Sequence, residues 1–222
     1  MPTTKVVIGK MDAAEDQHEI IRQGAKLLEE IIALDAFAEA VKKGPYPGGM
    51  SMRTFDIVNG KRKYKTVTVD EKRVLQIIHT GEERKEPQDN IINMDILVKP
   101  QKKGVVGSAI LGKQPIMPST DFVRRCKDKD DGVSMARHLI HEWMHVAGFF
   151  HEGHGPDQKD VPYVVGDIVR NLAKSLDKVA FSAEVQPYAN EDSYIAHVLD
   201  TSEDEMVQFE DNWEIVTTSS VG

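Results

Sequence analysis

The chain has 222 residues and a formal charge of -8, with 28 Lys and Arg against 36 Asp and Glu. This length suits one well-packed domain, and the hydrophobic fraction of 40% and charged fraction of 29% are typical of an ordinary globular protein. The acidic balance disfavours nucleic acid as a partner, because phosphates attract basic surfaces. No apolar run approaches the length of a membrane span, which disfavours a membrane protein.

The N-terminus and the cysteine count bear on the compartment. No apolar core of a secretory signal peptide is found, which predicts a cytoplasmic protein, one exported without such a signal, or a trimmed one. The single cysteine, Cys126, excludes an intramolecular disulfide framework. We expect residues 1–222 to form one domain, with a helical segment over 1–45 and an acidic tail over 200–222.

A long packing helix is predicted over residues 13–43, because apolar residues recur there at helical spacing and Gly44 ends the pattern. A β-hairpin should follow. Its strands are expected over 54–58 and 64–69, since the Asn-Gly pair at 59–60 suits the positive φ angles of a tight turn.

A short helix is predicted over 70–79, followed by Gly81 at its C-terminal end. Its packing side is expected to consist of Val74, Leu75, Ile77 and Ile78. The charged segment 81–90, which contains a proline, should form a surface loop.

The run 90–99 is largely apolar, which is typical of a central strand. Two further strands are predicted over 105–111 and 116–118, joined around Gly112. We expect this pair to lie at an edge of the sheet.

The segment from His141 to His151 carries most of the chemistry, and it reads H-E-x-x-H-x-x-G-x-x-H. His141 and His145 are four residues apart on a helix, so they share a face and can bind one ion. Glu142 would then lie beside the ion as a general base. Gly148 permits a turn at positive φ that brings His151 back as a third ligand. Three protein nitrogens leave the open position of a catalytic zinc site.

The residues before this motif predict its support. A helix is expected over 133–147, with Asp130 or Asp131 accepting hydrogen bonds at its N-terminus. Packing residues for this helix are Leu139, Ile140, Trp143 and Met144. His138 lies one turn before the first ligand, where it is either a hydrogen-bonding support or an ordinary core or surface histidine.

The residues after the motif leave alternatives open. His154 and Asp157 are rival third ligands, although the position of His151 relative to the glycine fits the longer motif better. A helix is predicted over 161–179, with a proline in its first turn. Its core face is expected to consist of Ile168, Val169, Leu172, Leu176 and Val179.

This motif resembles that of the metzincin clan of zinc peptidases, and Gly148-Phe149-Phe150-His151-Glu152 resembles the G-F-x-H-E of the astacin family. The resemblance implies an α+β, metzincin-like zincin domain with a twisted mixed sheet, an active-site helix and additional packing helices. It implies one catalytic Zn²⁺ held by the three histidines of the motif, with its glutamate as the base. It also implies that an extended peptide lies antiparallel to an edge strand preceding the zinc helix.

Two features depart from the metzincin pattern. Their methionine turn follows the third histidine, yet the only downstream methionine here is Met206, which has acidic neighbours. We therefore expect residues 161–166 or 188–194 to support the metal instead. Some metzincins are held latent by a prosegment cysteine, but Cys126 lies too close to the motif for a removable segment, which favours an ordinary thiol.

These observations predict a zinc-dependent metalloendopeptidase acting on a peptide or protein substrate. A tyrosine close to the metal would stabilise the oxyanion of the tetrahedral intermediate, with Tyr163 as first candidate and Tyr194 as second. The alternatives are a zinc amidase with a non-protein or cell-wall substrate, and a non-catalytic zinc-binding protein. Glu142 speaks against the latter, since a structural site needs no base. The sequence does not indicate the oligomeric state.

Overall fold

A computed structural model describes residues 4–59, 61–83, 88–151 and 159–180. These residues form six α-helices and six strands, arranged as a mixed α and β structure. The strands are β1 (Lys5–Asp12), β2 (Ser51–Val58), β3 (Lys61–Thr68), β4 (Ile91–Leu97), β5 (Gly107–Ile110) and β6 (Lys113–Pro118). The helices are α1 (His18–Ile32), α2 (Asp35–Lys43), α3 (Glu71–Thr80), α4 (Thr120–Asp128), α5 (Gly132–Val146) and α6 (Val161–Ala180).

Four strands form one mixed sheet in the order β1-β4-β6-β5. β4 runs parallel to both β1 and β6, and its residues alternate between buried and half-buried, which confirms the predicted central strand. β5 and β6 pair antiparallel around Gly112, as predicted, and β5 lies at the sheet edge. One edge strand, β1, is therefore paired in parallel, and the other, β5, is paired antiparallel.

The strand β1 was not predicted. It pairs along β4 in a parallel register from Lys5↔Ile91 to Asp12↔Leu97, so the N-terminal segment is not entirely helical. Its burial alternates only weakly, and Val7 is 40% exposed, because a sheet neighbour lies on one side only. A half-exposed edge strand leaves little periodicity in the sequence.

The prediction of one continuous helix over 13–43 is wrong. A 3-10 turn (Glu15–Gln17) precedes α1, and the chain breaks again at Leu34, whose φ of -77° and ψ of 136° are extended. Asp35 then begins α2. Buried residues continue through both helices, so apolar spacing alone could not reveal the break.

The hairpin and the helix after it are confirmed. β2 and β3 pair antiparallel from Ser51↔Thr68 to Val58↔Lys61, and Asn59 in the turn has a φ of 53°. α3 is capped by Asp70, whose side chain accepts from the backbone N–H of Arg73, and the four predicted packing residues are buried. Gly81 follows in the left-handed conformation, with a φ of 63°.

α5 lies at the centre of the core, in contact with α1, α6, β5 and β6. Eleven of its residues are buried, including the four predicted to pack it. Of the two predicted capping residues it is Asp131 that acts, accepting from the backbone N–H of Ser134 at 2.9 Å. This packing on several sides fixes the helix that carries the histidines.

α6 packs across α5 and begins as predicted, with Pro162 in its first turn. Val169 is buried and Leu172 is half-buried, but Leu176 is 39% exposed, so the predicted core face ends before it. The side chain of Val179 lies outside the described residues. No helix among the described residues is both long and apolar enough to cross a bilayer.

Candidate metal centre

Three histidines converge at the C-terminal end of α5. The ring nitrogens of His141, His145 and His151 that could bind an ion all lie within 4.8 Å of one another. The first two are 1% and 0% exposed, and the third is half-buried. The side-chain convergence predicted from the motif is therefore present in the structure.

A glycine turn brings the third histidine back. Gly148 has a φ of 111°, and its N–H donates to the carbonyl of His145 at 2.9 Å. The N–H of Phe149 donates to the carbonyl of Met144 at 3.0 Å. This pair of bonds is the Schellman arrangement that ends many helices, and it needs a residue that tolerates positive φ. The predicted role of Gly148 is thus confirmed.

Hydrogen bonds orient two of the three imidazoles. His145 Nδ1 lies 2.7 Å from the carbonyl oxygen of Phe149, and His151 Nδ1 lies 2.8 Å from Asp160 Oδ2. Each Nδ1 therefore carries the proton and donates it, which leaves Nε2 as the lone-pair nitrogen. Both Nε2 atoms are buried and accept no hydrogen bond from any residue that the structure describes.

This donor set fits a zinc ion. Burial lowers the pKa of His145 to about 3, aided by the nearby His151, and burial with the neighbouring histidines holds the pKa of His141 well below its ordinary value. Neutral imidazole is the form that binds metal. Nitrogen donors suit Zn²⁺ among the common divalent ions, and three of them leave its fourth position open.

Glu142 is buried beside the histidines and is 0% exposed. Within the described residues neither of its carboxylate oxygens has a hydrogen-bond partner, and burial raises the pKa of the group to about 8. Buried polar atoms are normally satisfied, so two orphaned carboxylate oxygens are a marked exception. Such exceptions cluster at functional sites.

His138 lies one turn before His141 and is fully buried, so the surface alternative is wrong. Its Nδ1 is 3.5 Å from Glu142 Oε1. Phe122 of α4 contacts its ring at a centroid distance of 4.7 Å. A Cβ at Gly107 would lie 2.2 Å from the ring, so the strand β5 can approach only because this residue is glycine. His138 thus fills the space between the edge strand and the buried glutamate.

The start of α6 lies against the histidines. The ring of Tyr163 stacks on His151 at 4.7 Å and meets His141 edge-on at 4.8 Å. Gly166 is close to the same helix, since a Cβ there would be 3.7 Å from the Cβ of His141. The start of segment 161–166 therefore contacts the histidines, and its role as a metal support stays a prediction. Several predicted residues lie outside the described part: His154, Asp157, residues 188–194 with Tyr194, and Met206.

Asp160 is a site residue that the sequence prediction missed. It is 2% exposed, its Oδ2 accepts from His151, and its Oδ1 has no partner among the described residues. Its backbone carbonyl accepts from the N–H of Val164 at 2.9 Å, which places it at the start of α6. Aspartate before a proline-containing first turn was the available signal, although it indicates a helix cap rather than a metal support.

An ion-pair cluster fixes α6 to α5 near this site. Asp167 accepts from Arg137 at 2.9 Å and from Lys159 at 2.7 Å, and Arg170 lies 3.3 Å away. Burial alone would raise the pKa of Asp167, but Lys159 and the two arginines lower it below the ordinary value. The carboxylate therefore stays charged and holds the residue before Asp160 against α6.

A second buried glutamate lies on the sheet side of α5. Glu83 is 6% exposed, so the prediction that 81–90 is wholly a surface loop is wrong. The indole N–H of Trp143 donates to Glu83 Oε1 at 2.7 Å, and Gln114 Nε2 lies 3.3 and 3.4 Å from its two oxygens. Gln114 also donates to the carbonyl of Asn93 at 2.7 Å, so this network joins α5 to the central strand.

The remaining predictions concern Cys126 and β5. Cys126 is buried on α4, as expected of an ordinary thiol. β5 is the antiparallel edge strand before α5, but all four of its residues are buried. Its backbone is thus covered in this structure, and a peptide could not lie along it without displacing what covers it.

Comparisons with known proteins give no assignment. No protein-family model matches the chain, and no curated protein or solved structure is significantly similar to it. Function is therefore inferred from the geometry of the histidines and their neighbours.

Proposed function

We propose that the chain is a zinc-dependent metallopeptidase with a metzincin-like fold. One observation carries the proposal: three histidines converge through a glycine turn beside Glu142, a buried glutamate whose oxygens have no hydrogen-bond partner among the described residues. A purely structural metal site has no use for such a carboxylate. A catalytic one needs a base within reach of water.

The metal would be held by the three histidine side chains. His145 and His151 are already fixed in the ligating tautomer by Phe149 and Asp160. Outer hydrogen bonds of this kind set ring orientation and raise ligand basicity. When bound, zinc would polarise a substrate carbonyl and acidify a water, with one coordination position left for them.

Glu142 would move the protons. The charge of a bound zinc ion would lower the raised pKa of Glu142 and favour its carboxylate form. The carboxylate would accept a proton from the attacking water and give it to the nitrogen of the leaving amine, so one group would serve as base and then as acid. The burial of Glu142 excludes bulk water that would otherwise solvate the carboxylate. His138 limits the space on the other side of Glu142, which favours one orientation of its side chain.

Tyr163 would bind the developing oxyanion. Its ring packs on two of the three histidines, so its side chain is anchored next to the proposed ion. A phenolic donor there would strengthen its hydrogen bond as charge develops on the carbonyl oxygen. This role requires the Tyr163 hydroxyl, which a phenylalanine at this position would lack while keeping the ring contacts.

The metzincin-like fold is supported by three features of the described residues. A mixed sheet precedes the zinc helix, its edge strand β5 runs antiparallel, and a glycine turn ends α5. The start of α6 packs on His151, and in this proposal it takes the role of the methionine turn. We regard this replacement as the main departure from the family pattern.

The test combines metal analysis with substrate profiling. Purified protein should contain one zinc per chain and cleave members of a degenerate peptide library, and a chelator should abolish cleavage until zinc is restored. Glu142→Ala should keep the metal and lose hydrolysis. A chain that binds no zinc, or a Glu142→Ala variant with wild-type turnover, would contradict the proposal.

A further inference from the structure

The hairpin of β2 and β3 is a basic surface on an acidic protein. Residues 51–68 contain five Lys and Arg and one Asp, whereas the whole chain has a formal charge of -8. Lys61, Lys63 and Lys65 are exposed and alternate along β3, so their side chains leave the same face of the strand. Lys65 is paired with Asp56 at 2.8 Å, which leaves the other two as the exposed charges of this face.

This hairpin is joined to the turn that carries the third histidine. Met52 forms an antiparallel bridge with Phe149, and the N–H of Arg53 donates to the carbonyl of Gly148 at 2.8 Å. The Arg53 guanidinium also lies 5.9 Å from the ring centroid of Phe150. The outer edge of β2 therefore leads directly to the residues between α5 and His151.

Beyond Arg53 this edge has no strand neighbour in the described part of the chain, since β2 and β3 form a sheet of two strands. Val58 near the tip is 47% exposed. The edge strand β5, by contrast, is buried along its length. Of these two edges, β2 is thus the one that an extended polypeptide could reach without displacing a described strand or helix.

We propose that the β2–β3 hairpin docks an extended acidic segment of the polypeptide substrate, an inference that rests on the proposed peptidase function. Backbone hydrogen bonds along β2 would hold the segment in strand form, which is a common mode of peptide recognition. The lysines of β3 would attract its carboxylates and speed encounter. The segment would then end beside the turn that carries His151.

Binding is tested with full-length, zinc-loaded protein in the Glu142→Ala background, so that cleavage cannot interfere. The probe is a fluorescein-labelled peptide of alternating Glu and Thr, about twelve residues long, followed by anisotropy. The double variant Lys61→Glu, Lys63→Glu should raise its Kd by about 10-fold at low salt, and the difference should shrink as salt is added. Lys102→Glu with Lys103→Glu is the matched control, since both lysines are exposed elsewhere, and it should leave Kd unchanged.

Three binding results would overturn the inference. The first is an equal loss in the hairpin variant and the control. The second is no loss in either, and the third is tighter binding of a thymidine oligonucleotide than of the acidic peptide, which would make the surface a nucleic-acid site. A separate experiment concerns the acidic tail of this chain, in which Glu203, Asp204 and Glu205 are neutralised. If this change tightens peptide binding, the tail itself occupies the hairpin and the assignment of the surface to substrate is wrong.

A kinetic arm separates this inference from the peptidase proposal. With Glu142 intact, the hairpin variant should raise KM for a cleavable acidic peptide without changing kcat, and should leave a Gln-substituted peptide unaffected. If no peptide is cleaved, the function fails while the anisotropy result still reports on docking. If the hairpin variant and the Lys102→Glu, Lys103→Glu control cleave the acidic and the Gln-substituted peptides equally well, docking fails while the function stands.

Discussion

Two buried glutamates at α5, one on the helix and one bonded to it, have opposite surroundings. Glu83 is 6% exposed and accepts from the indole of Trp143, with the amide of Gln114 close to both of its oxygens. Glu142, at 0% exposed, has no hydrogen-bond partner among the described residues. A buried carboxylate without partners costs stability, so its retention requires another reason. The satisfied glutamate supports the fold, and the unsatisfied one is available for chemistry.

The largest test of this contrast is Glu142→Gln, which keeps the shape of the side chain but cannot accept a proton. We expect kcat to fall by about 10²–10⁴-fold, the usual contribution of a general base, while zinc content and unfolding temperature are retained. Initial rates with a library-derived peptide, metal analysis and thermal unfolding measure the three quantities. A fall in kcat that merely follows lost zinc would remove the base assignment.

Support of the third ligand is tested by Asp160→Asn. Loss of the charged acceptor for His151 Nδ1 should weaken zinc binding by about 10–100-fold, as is typical for the outer hydrogen bonds of metal ligands. Competition with a chromophoric chelator measures the Kd. Asp121→Asn is the control, because Asp121 lies on α4, pairs with Arg124 and has a side chain that is 70% exposed. Equal weakening by both variants would indicate an effect that does not depend on the bond to His151.

The opposite result is expected for Glu83→Ala. Removing this carboxylate leaves the buried indole N–H of Trp143 without its acceptor, which should lower the free energy of unfolding by about 1–3 kcal/mol. Denaturant unfolding measures the change. Zinc affinity and kcat should stay near wild type at a temperature where the variant is folded. A selective loss of kcat would mean that both glutamates take part in the chemistry.

The smallest effect is expected for His138. His138→Leu removes the nitrogen that lies 3.5 Å from Glu142 and should lower kcat on the order of 10-fold through misplacement of the base, with KM and zinc affinity unchanged. His138→Asn places an amide nitrogen near the position of Nδ1 and should recover part of the rate. If both variants lose activity equally, His138 serves only to fill space.

The parts of the site set by local sequence could be predicted, and those set by long-range contacts could not. Asp131 as a cap, the glycine turn and the face shared by His141 and His145 follow from residues within a few positions of each other. Asp160 reaches His151 only because the start of α6 lies against α5. The periodic patterns of helices and strands in a sequence do not indicate contacts between separate elements.

The fold shows the same division. The hairpin, α3 and the pairing around Gly112 follow from turn residues and short periodic runs. Glu83 was assigned to a surface loop because its neighbours are charged, yet its partner Trp143 is 60 residues away in the sequence. The break at Leu34 was hidden because helices on both of its sides bury apolar residues at the same spacing.

The bond between Arg53 and Gly148 has a thermodynamic consequence for the whole protein. It would place one short turn under two influences, the proposed ligand of the hairpin and the proposed ion at His151. If occupancy of either changes the turn, reciprocity requires that each alter the affinity of the other by the same factor. The hairpin ligand would then change the Kd of zinc by the same factor by which zinc changes the Kd of the ligand. A zinc titration with and without saturating ligand measures the first factor, and such a result would make this turn a point of allosteric coupling.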